Sequence, residues 1–260
     1  MRADVYLAAF GHTESRKKAQ DLIDAGAVRI DGQTVKKASV PINEEVPHEV
    51  EIEEIFKYVS RGGMKLEAAL DAFRINVNRK KAVDIGASTG GFTDCLLQRG
   101  ASAVYSVDTG VGQLHERLRA DSRVVCLEKF NARELTAEVT DGCCDIAVED
   151  VSFISQTYII PNISAVLRDG GEFVSLIKPQ FEAGRSALGK GGIVHNGAYR
   201  YLAAKRVLEC AYENGFDCLG FIRSPIEGGD GNKEYLAYFV KRPMTVPRID
   251  DKTVRRITSM

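Results

Sequence analysis

The stretch Ala82-Val83-Asp84-Ile85-Gly86-Ala87-Ser88-Thr89-Gly90-Gly91 constrains this chain more than any other. An apolar run of strand length passes straight into glycines and then into a helical stretch at residues 92–99. The alternation continues. Residues 104–108, 124–127, 145–150 and 173–178 read as strands, with helical stretches near 113–119, 154–167 and 199–212. Repeated strand–helix units predict a mostly parallel sheet covered on both faces. Residues 219–224 and 235–240 follow with only a loop between them, which predicts an antiparallel final strand. The expected fold is α/β and Rossmann-like: seven strands, mostly parallel, the last antiparallel.

In open α/β sheets, ligands bind beyond the carboxyl ends of the strands. Glycine lets the backbone turn sharply there and approach a ligand closely. Asp84, Gly86, Ser88, Thr89, Gly90, Gly91 and Phe92 are therefore candidate cofactor residues. The loop is not G-x-G-x-x-G, and it lacks the G-K-[ST] of a phosphate loop. An S-adenosylmethionine site, a dinucleotide site and a turn needed only for packing all stay open on this loop alone. Asp108 closes the second strand, where an acid can accept both hydroxyls of a ribose. Asp150 ends the fourth strand, Lys178 the fifth, and Glu234 begins the last. If that last strand is antiparallel, all three lie at one edge, and Lys65 arrives from the preceding helix. A lone Lys or Glu at a strand end is usually solvated surface. Four charges beside one candidate ligand loop ask for another explanation.

Residues 1–47 read as a separate small unit. A short helix holds Val5, Leu7, Ala8 and Ala9 and ends at Gly11; Thr13 is the candidate N-cap of a second helix. That helix has Ala19, Leu22 and Ile23 on one face, and Gly26 closes it. Val28-Arg29-Ile30 alternates like a strand, and Asp31-Gly32 is a strong hairpin signal. An acidic segment at 48–59 reads as a last strand and linker. The expected division is 1–59 for this α+β domain with its linker, 60–245 for the α/β domain, and 246–260 for a peripheral tail.

Charge is balanced over the 260 residues, with 35 Lys and Arg against 36 Asp and Glu, so any nucleic-acid site must be a local patch. The six cysteines include no C-x-x-C pair and lie mostly in apolar stretches, which predicts reduced, structural thiols and no metal site. No signal-peptide cleavage site is visible, and no apolar run approaches the ~18 residues of a membrane span. A cytoplasmic protein with no membrane partner is expected; oligomeric state is not legible.

Two resemblances follow from longer motifs. Arg2-x-Asp4-x-x-Leu7, Ser15-Arg16-x-x-Ala19, Leu22-Ile23-x-x-Gly26-x-Val28 and Asp31-Gly32 resemble the S-four-type RNA-binding domain. That resemblance implies a basic face meeting RNA phosphates, which positions without reading sequence. Arg2, Arg16, Lys17, Lys18, Arg29 and Lys36 are the candidates, with Arg61 and Arg185 further on. Residues 60–240 resemble the TlyA-type ribose methyltransferases of the FtsJ-like group. The segments are Ser60-Arg61-Gly62-Gly63-x-Lys65-Leu66, Asp84 to Thr93, Asp150-x-Ser152-Phe153-Ile154-Ser155, Lys178-Pro179-Gln180-Phe181-Glu182 and Gly231-Asn232-x-Glu234-Tyr235.

This second resemblance implies S-adenosyl-L-methionine as cofactor, a catalytic tetrad of Lys65, Asp150, Lys178 and Glu234, and methylation of a cytidine 2′-hydroxyl in ribosomal RNA. The partner implied is ribosomal RNA or a ribosomal subunit. Asp150 counts with the cofactor residues too. FtsJ-like enzymes commonly place an acid on the adenine after the third strand. Here Asn131 is the counterpart, so hydrogen bonding there would be neutral. Lys178 reads either as a general base or as a cation stabilising the developing alkoxide. Residues 180–192, with Phe181 and Arg185, read as a mobile lid or RNA-contacting loop, and His195 as structural. Members of the family have been called haemolysins, so a membrane-active protein is one alternative and a catalytically inactive RNA binder another.

Overall fold

A computed structural model of the chain describes residues 1–13, 15–52, 57–228, 231–242 and 249–260. The chain forms two compact units, Met1–Arg61 and Gly62–Met260. The first boundary falls two residues beyond the expected one.

The first unit contains α1 (Ala3–Ala9), α2 (Arg16–Asp24), β1 (Val28–Ile30), β2 (Gln33–Thr34) and β3 (Val50–Ile52), with the strands antiparallel in the order β2-β1-β3. Its core joins Tyr6 and Leu7 of α1, Ala19, Leu22 and Ile23 of α2, and Val28 and Ile30 of β1. The expected apolar faces of α2 and β1 are therefore the buried ones. Asp31 (φ 51°) and Gly32 (φ 74°) both take left-handed conformations, as a two-residue type I′ hairpin requires. The N-cap of α2 is Ser15, whose hydroxyl accepts from Lys18 N at 3.2 Å, and not Thr13. Thr13 instead donates to the Ser15 carbonyl. Glu53 and Glu54, which belong to the acidic segment, lie outside the described residues.

His48 closes this unit. Its Nδ1 lies 2.6 Å from Asp31 Oδ2 and its Nε2 2.8 Å from the Asn43 carbonyl. Both partners are acceptors, so the protonated ring, with hydrogen on both nitrogens, is the form that satisfies both contacts. The bond to Asp31, then that to Asn43, raises the His48 pKa. A raised folded-state pKa gives a contribution complete below the ordinary histidine value of about 6.5. It is lost as pH rises through the folded-state value. The melting temperature of the first unit is therefore expected to fall with rising pH above that point, and His48→Gln to flatten the dependence. A wild-type melting profile without a histidine-range slope would refute the assignment.

The second unit runs α3 (Gly62–Ala72), β4 (Lys81–Ile85), α4 (Gly91–Gln98), β5 (Ala103–Val107), α5 (Glu116–Arg119), β6 (Val124–Leu127), β7 (Cys144–Glu149), α6 (Ile160–Val166), β8 (Leu167–Ile177), α7 (Pro179–Glu182), α8 (Gly197–Glu213), β9 (Phe216–Arg223), β10 (Tyr235–Lys241) and α9 (Asp251–Ser259). The seven strands order as β6-β5-β4-β7-β8-β10-β9, with β10 antiparallel to both neighbours. The chain leaves β4 in one direction, through β5 and β6, and then returns to build β7 and β8 on the other side. Such a reversal opens a crevice at the carboxyl ends of β4, β5 and β7.

Differences from expectation have local causes. The helix expected at 154–167 is a 3-10 turn at Gln156–Tyr158 followed by α6, because Pro161 has no N–H and is tolerated only in a first helical turn. The expected helix near 113–119 shrinks to α5. The tail expected to be peripheral is, over α9, a capped helix: Asp250 accepts from Thr253 N at 2.9 Å, and Val254 and Thr258 are buried.

Candidate active site

The loop between β4 and α4 holds Gly86 (φ 83°), Ser88 (φ 49°) and Gly90 (φ 94°) in left-handed conformations. A Cβ on Gly86 would stand 2.5 Å from the Asp150 carbonyl oxygen, so glycine is required for the loop to touch the end of β7. Asp108, one residue past β5, ties the loop down. Its Oδ2 accepts from Ser88 N at 2.8 Å and its Oδ1 from Gly110 N at 2.7 Å. Each carboxylate oxygen keeps a further lone pair.

Beside this loop lies a cavity of about 380 Å³, within the ~300–1,000 Å³ range of small-molecule sites. Its walls are apolar at Val107, Phe130, Ile154 and Ile159, and polar at Ser88, Asp108, Asn131, Asp150 and Ser152. Five of the expected cofactor residues thus line it: Gly86, Ser88, Asp108, Asn131 and Asp150. The Asn131 oxygen accepts from Arg133 N at 3.1 Å, which leaves its amide N–H₂ to face a ligand.

The other five are placed differently. Asp84 is fully buried within β4 and accepts from Thr93 Oγ1 at 2.7 Å; Thr93 in turn meets Ser106 Oγ at 2.7 Å. Burial, opposed by the Thr93 bond, pushes the Asp84 carboxyl up to about 7. Asp84 is therefore a strut beneath the loop. Phe92 is in the core, Gly90 and Gly91 are buried at the start of α4, and Thr89 is exposed outside the cavity lining.

The four expected catalytic residues do converge. β7 and β8 are parallel neighbours with Glu149 opposite Ser175, and β10 starts with Tyr235 opposite Ile177. Asp150, Lys178 and Glu234 each lie one residue beyond those strand ends. They form two ion pairs. Lys65 Nζ donates to Glu234 Oε2 at 2.5 Å, with side-chain exposures of 11% and 3%. Lys178 Nζ lies 2.5 Å from Asp150 Oδ1, with exposures of 11% and 24%. The second pair is the one that opens on the cavity, through Asp150.

Two residues that sequence reasoning quoted without a role belong here. Ser152 Oγ accepts from Lys178 Nζ at 2.8 Å. Phe153 is 92% exposed, has φ 65°, and its ring lies 5.2 Å from that of Phe181. A left-handed bulky residue costs ~1–3 kcal/mol and is retained where the surroundings demand it. An aromatic residue at the carboxyl edge of a strand was the available signal. The expected lid, 180–192, is anchored at its far end, where buried Asn232 accepts from Val194 N at 3.0 Å and donates to the Gly192 carbonyl at 3.1 Å. His195 is exposed, and its carbonyl accepts from Arg200 at 2.6 Å.

The candidate RNA contacts lie on both units. Arg2 and Arg16 both reach the fully buried Asp4, at 2.8 and 3.0 Å, while staying 50% and 57% exposed. The Arg2 bond, against the cost of burial, and those of Gln20 and Arg16 hold the Asp4 carboxyl well below the usual carboxylate range. Lys17 and Arg61 pair with Asp21, and Lys18 donates to the Val59 carbonyl. Arg29, Lys36 and Arg185 are exposed.

Comparison with known proteins shows the family of the chain. The FtsJ-like methyltransferase model matches residues 58–241, and the S4 domain model matches residues 1–46. The chain belongs to the FtsJ-like methyltransferase family. It is 45% identical over 241 residues to hemolysin A of Brachyspira hyodysenteriae, covering 92% of this chain and 100% of that protein. It is 40% identical over 260 residues to the 16S/23S rRNA (cytidine-2′-O)-methyltransferase TlyA of Mycobacterium tuberculosis, covering 99% and 97%. Among solved structures, a protein of Streptococcus thermophilus described as a candidate hemolysin superposes with a TM-score of 0.80 at 39% identity, covering 99% of this chain and 94% of that one. Both resemblances read from the motifs are thereby confirmed, as is the fold class.

Proposed function

We propose that this chain methylates the ribose 2′-hydroxyl of a cytidine in ribosomal RNA, using S-adenosylmethionine, in the compartment where ribosomes work. The observation that carries the reading is the Lys178–Asp150 pair opening on the cavity that Asp108 and the glycine loop enclose. The cavity suits the cofactor: apolar walls for a purine, spare Asp108 lone pairs for a ribose diol, and no Cβ at Gly86. When bound, S-adenosylmethionine supplies an activated methyl group.

The residues of the chain do the rest. Lys178 donates to Asp150 and to Ser152, an arrangement that suits an ammonium with one N–H left for the ribose oxygen. That favours stabilisation of the developing alkoxide as its main task. Phe153 offers an exposed face on which a base can stack. Arg2 and Arg16, pre-oriented by Asp4, suit phosphate contacts that position the RNA. Among the described residues no helix is long and apolar enough to cross a membrane.

The direct test is tritiated methyl transfer to unmodified ribosomal RNA, with mapping of the product nucleotide. Absence of a ribose-methylated cytidine would sink the reading. Asp108→Ala is expected to weaken S-adenosylmethionine binding at least ~10-fold, since hydrogen bonds to a charged acceptor contribute ~1.5–3 kcal/mol each. Unchanged affinity by calorimetry would remove Asp108 from the site.

A further inference from the structure

Lys178 and its partners come from two segments, residues 150–156 leaving β7 and residues 178–182 leaving β8. The segments are joined at three levels. Lys178 Nζ meets Asp150 at 2.5 Å and Ser152 at 2.8 Å. One turn on, the rings of Phe181 and Phe153 lie 5.2 Å apart. Beneath them, Glu182 Oε2 accepts from Ser155 Oγ at 2.6 Å and Glu182 Oε1 from Gln156 N at 2.7 Å. The Gln156 side chain extends this lowest level, donating to the Leu176 carbonyl at 2.7 Å and accepting from Ser175 Oγ at 2.8 Å.

Glu182 is only 3% exposed. Burying a carboxylate is costly unless its oxygens are satisfied, and an apolar side chain would pack there at no such cost. What the carboxylate provides instead is directional: two acceptor oxygens that grip successive positions of the other segment. The grip matters because β7 ends at Glu149, and the chain then turns through a left-handed Phe153. Glu182 also lies four positions after Lys178, on the helix α7 that Lys178 caps.

We propose that Glu182 is a positioning residue, whose carboxylate holds Ser155 and Gln156 so that Asp150 and Ser152 meet Lys178. The proposal rests on the methyltransferase reading above.

Its surroundings give the expected pH behaviour. Glu149 of β7, and Arg206 and Cys210 of α8, face Glu182 along with Ser155 and Gln156. Burial pushes the Glu182 carboxyl above the ordinary range, opposed by Ser155, Gln156 and Arg206. Burial first, then the charge of Glu182, pushes Glu149 well above it. Once protonated, Glu182 turns one acceptor into a donor and cannot hold both groups. Wild-type kcat is therefore expected to fall toward acid pH with a midpoint above the ~4.3 of an ordinary glutamate.

The test uses the full chain. Glu182→Ala is expected to lower kcat about tenfold or more through misplacement. S-adenosylmethionine affinity should weaken far less than kcat falls, since of the displaced contacts only Asp150 and Ser152 also line the cavity. A crystal structure of Glu182→Ala should show the Lys178–Ser152 contact opened. Glu182→Gln places a donor where Ser155 needs an acceptor, as protonation of the carboxyl does, so its kcat near neutral pH should fall toward the level of the wild type on its acid limb. The acid limb should then vanish, since the amide does not titrate. Unchanged kcat with an unchanged Lys178–Ser152 contact overturns the proposal. So does a Glu182→Gln protein that keeps the wild-type acid limb, and this variant decides the matter if Glu182→Ala does not fold. A wild-type protein inert on ribosomal RNA, with the contact still opened by Glu182→Ala, would instead overturn the functional reading and leave the positioning role supported.

Discussion

Lys178→Ala protein is expected to bind S-adenosylmethionine as the wild type does and to transfer methyl groups at least about a hundredfold more slowly. The two effects separate because Lys178 is not among the cavity-lining residues, whereas its partners Asp150 and Ser152 are. An interaction made mainly in the transition state lowers kcat without loosening the ground state. Folding should be little affected. Asp150, left without its lysine, is 24% exposed and can be hydrated, so a stability loss of only ~0–1 kcal/mol is expected. The measurements are methyl incorporation into unmodified ribosomal RNA, a cofactor titration and a melting curve. A folded, cofactor-competent Lys178→Ala protein working near the wild-type rate would dismantle the catalytic assignment.

How much of this was legible in the sequence depended on which physical constraint acted on each residue. The carboxyl ends of the strands were legible because apolar runs stop there, whereas the starts of β8 and β9, polar at Arg168 to Glu172 and at Asp217, lie six and three residues before the expected ones. Asp108, Asp150, Lys178 and Glu234 accordingly fall one residue beyond the ends of β5, β7, β8 and the start of β10. Asp84 was misplaced for the opposite reason. A polar residue near a glycine loop can face the ligand or the supporting helix, and only the packing of Thr93 from α4 against it decides between them. Backbone handedness at Phe153 leaves no mark in composition, so neither its exposure nor the inward aim of Ser152 could be read. In α9, Val254 and Thr258 repeat at helical spacing, but nine residues are too few for periodicity to stand out from a tail. Four charges at one edge can pair in more than one way. Only the approach of α3 shows that Lys65 takes Glu234, 169 positions away.

That pairing sets the second large effect. Lys65→Ala is expected to be damaging in a different manner from Lys178→Ala, through stability as well as activity. Glu234 is 3% exposed, and without Lys65 it becomes a buried charge lacking its counter-ion. Removing one partner of a buried pair typically costs ~3–5 kcal/mol. For a unit of this size, that corresponds to a melting point lower by roughly 6–20 °C. Removing both partners deletes the stranded charge along with the pair. Lys65→Met with Glu234→Leu should therefore recover much of the lost stability while remaining inactive, and the double-mutant cycle should show strong coupling. The same cycle on Lys178 and Asp150 should show weaker coupling in stability, because water reaches Asp150. Melting curves of the wild type, Lys65→Met, Glu234→Leu and the double variant decide the coupling, and that of Lys65→Ala decides the stranded charge. A Lys65→Ala protein that melts with the wild type would mean that Glu234 is hydrated rather than buried, and the division into one anchoring pair and one reacting pair would fall.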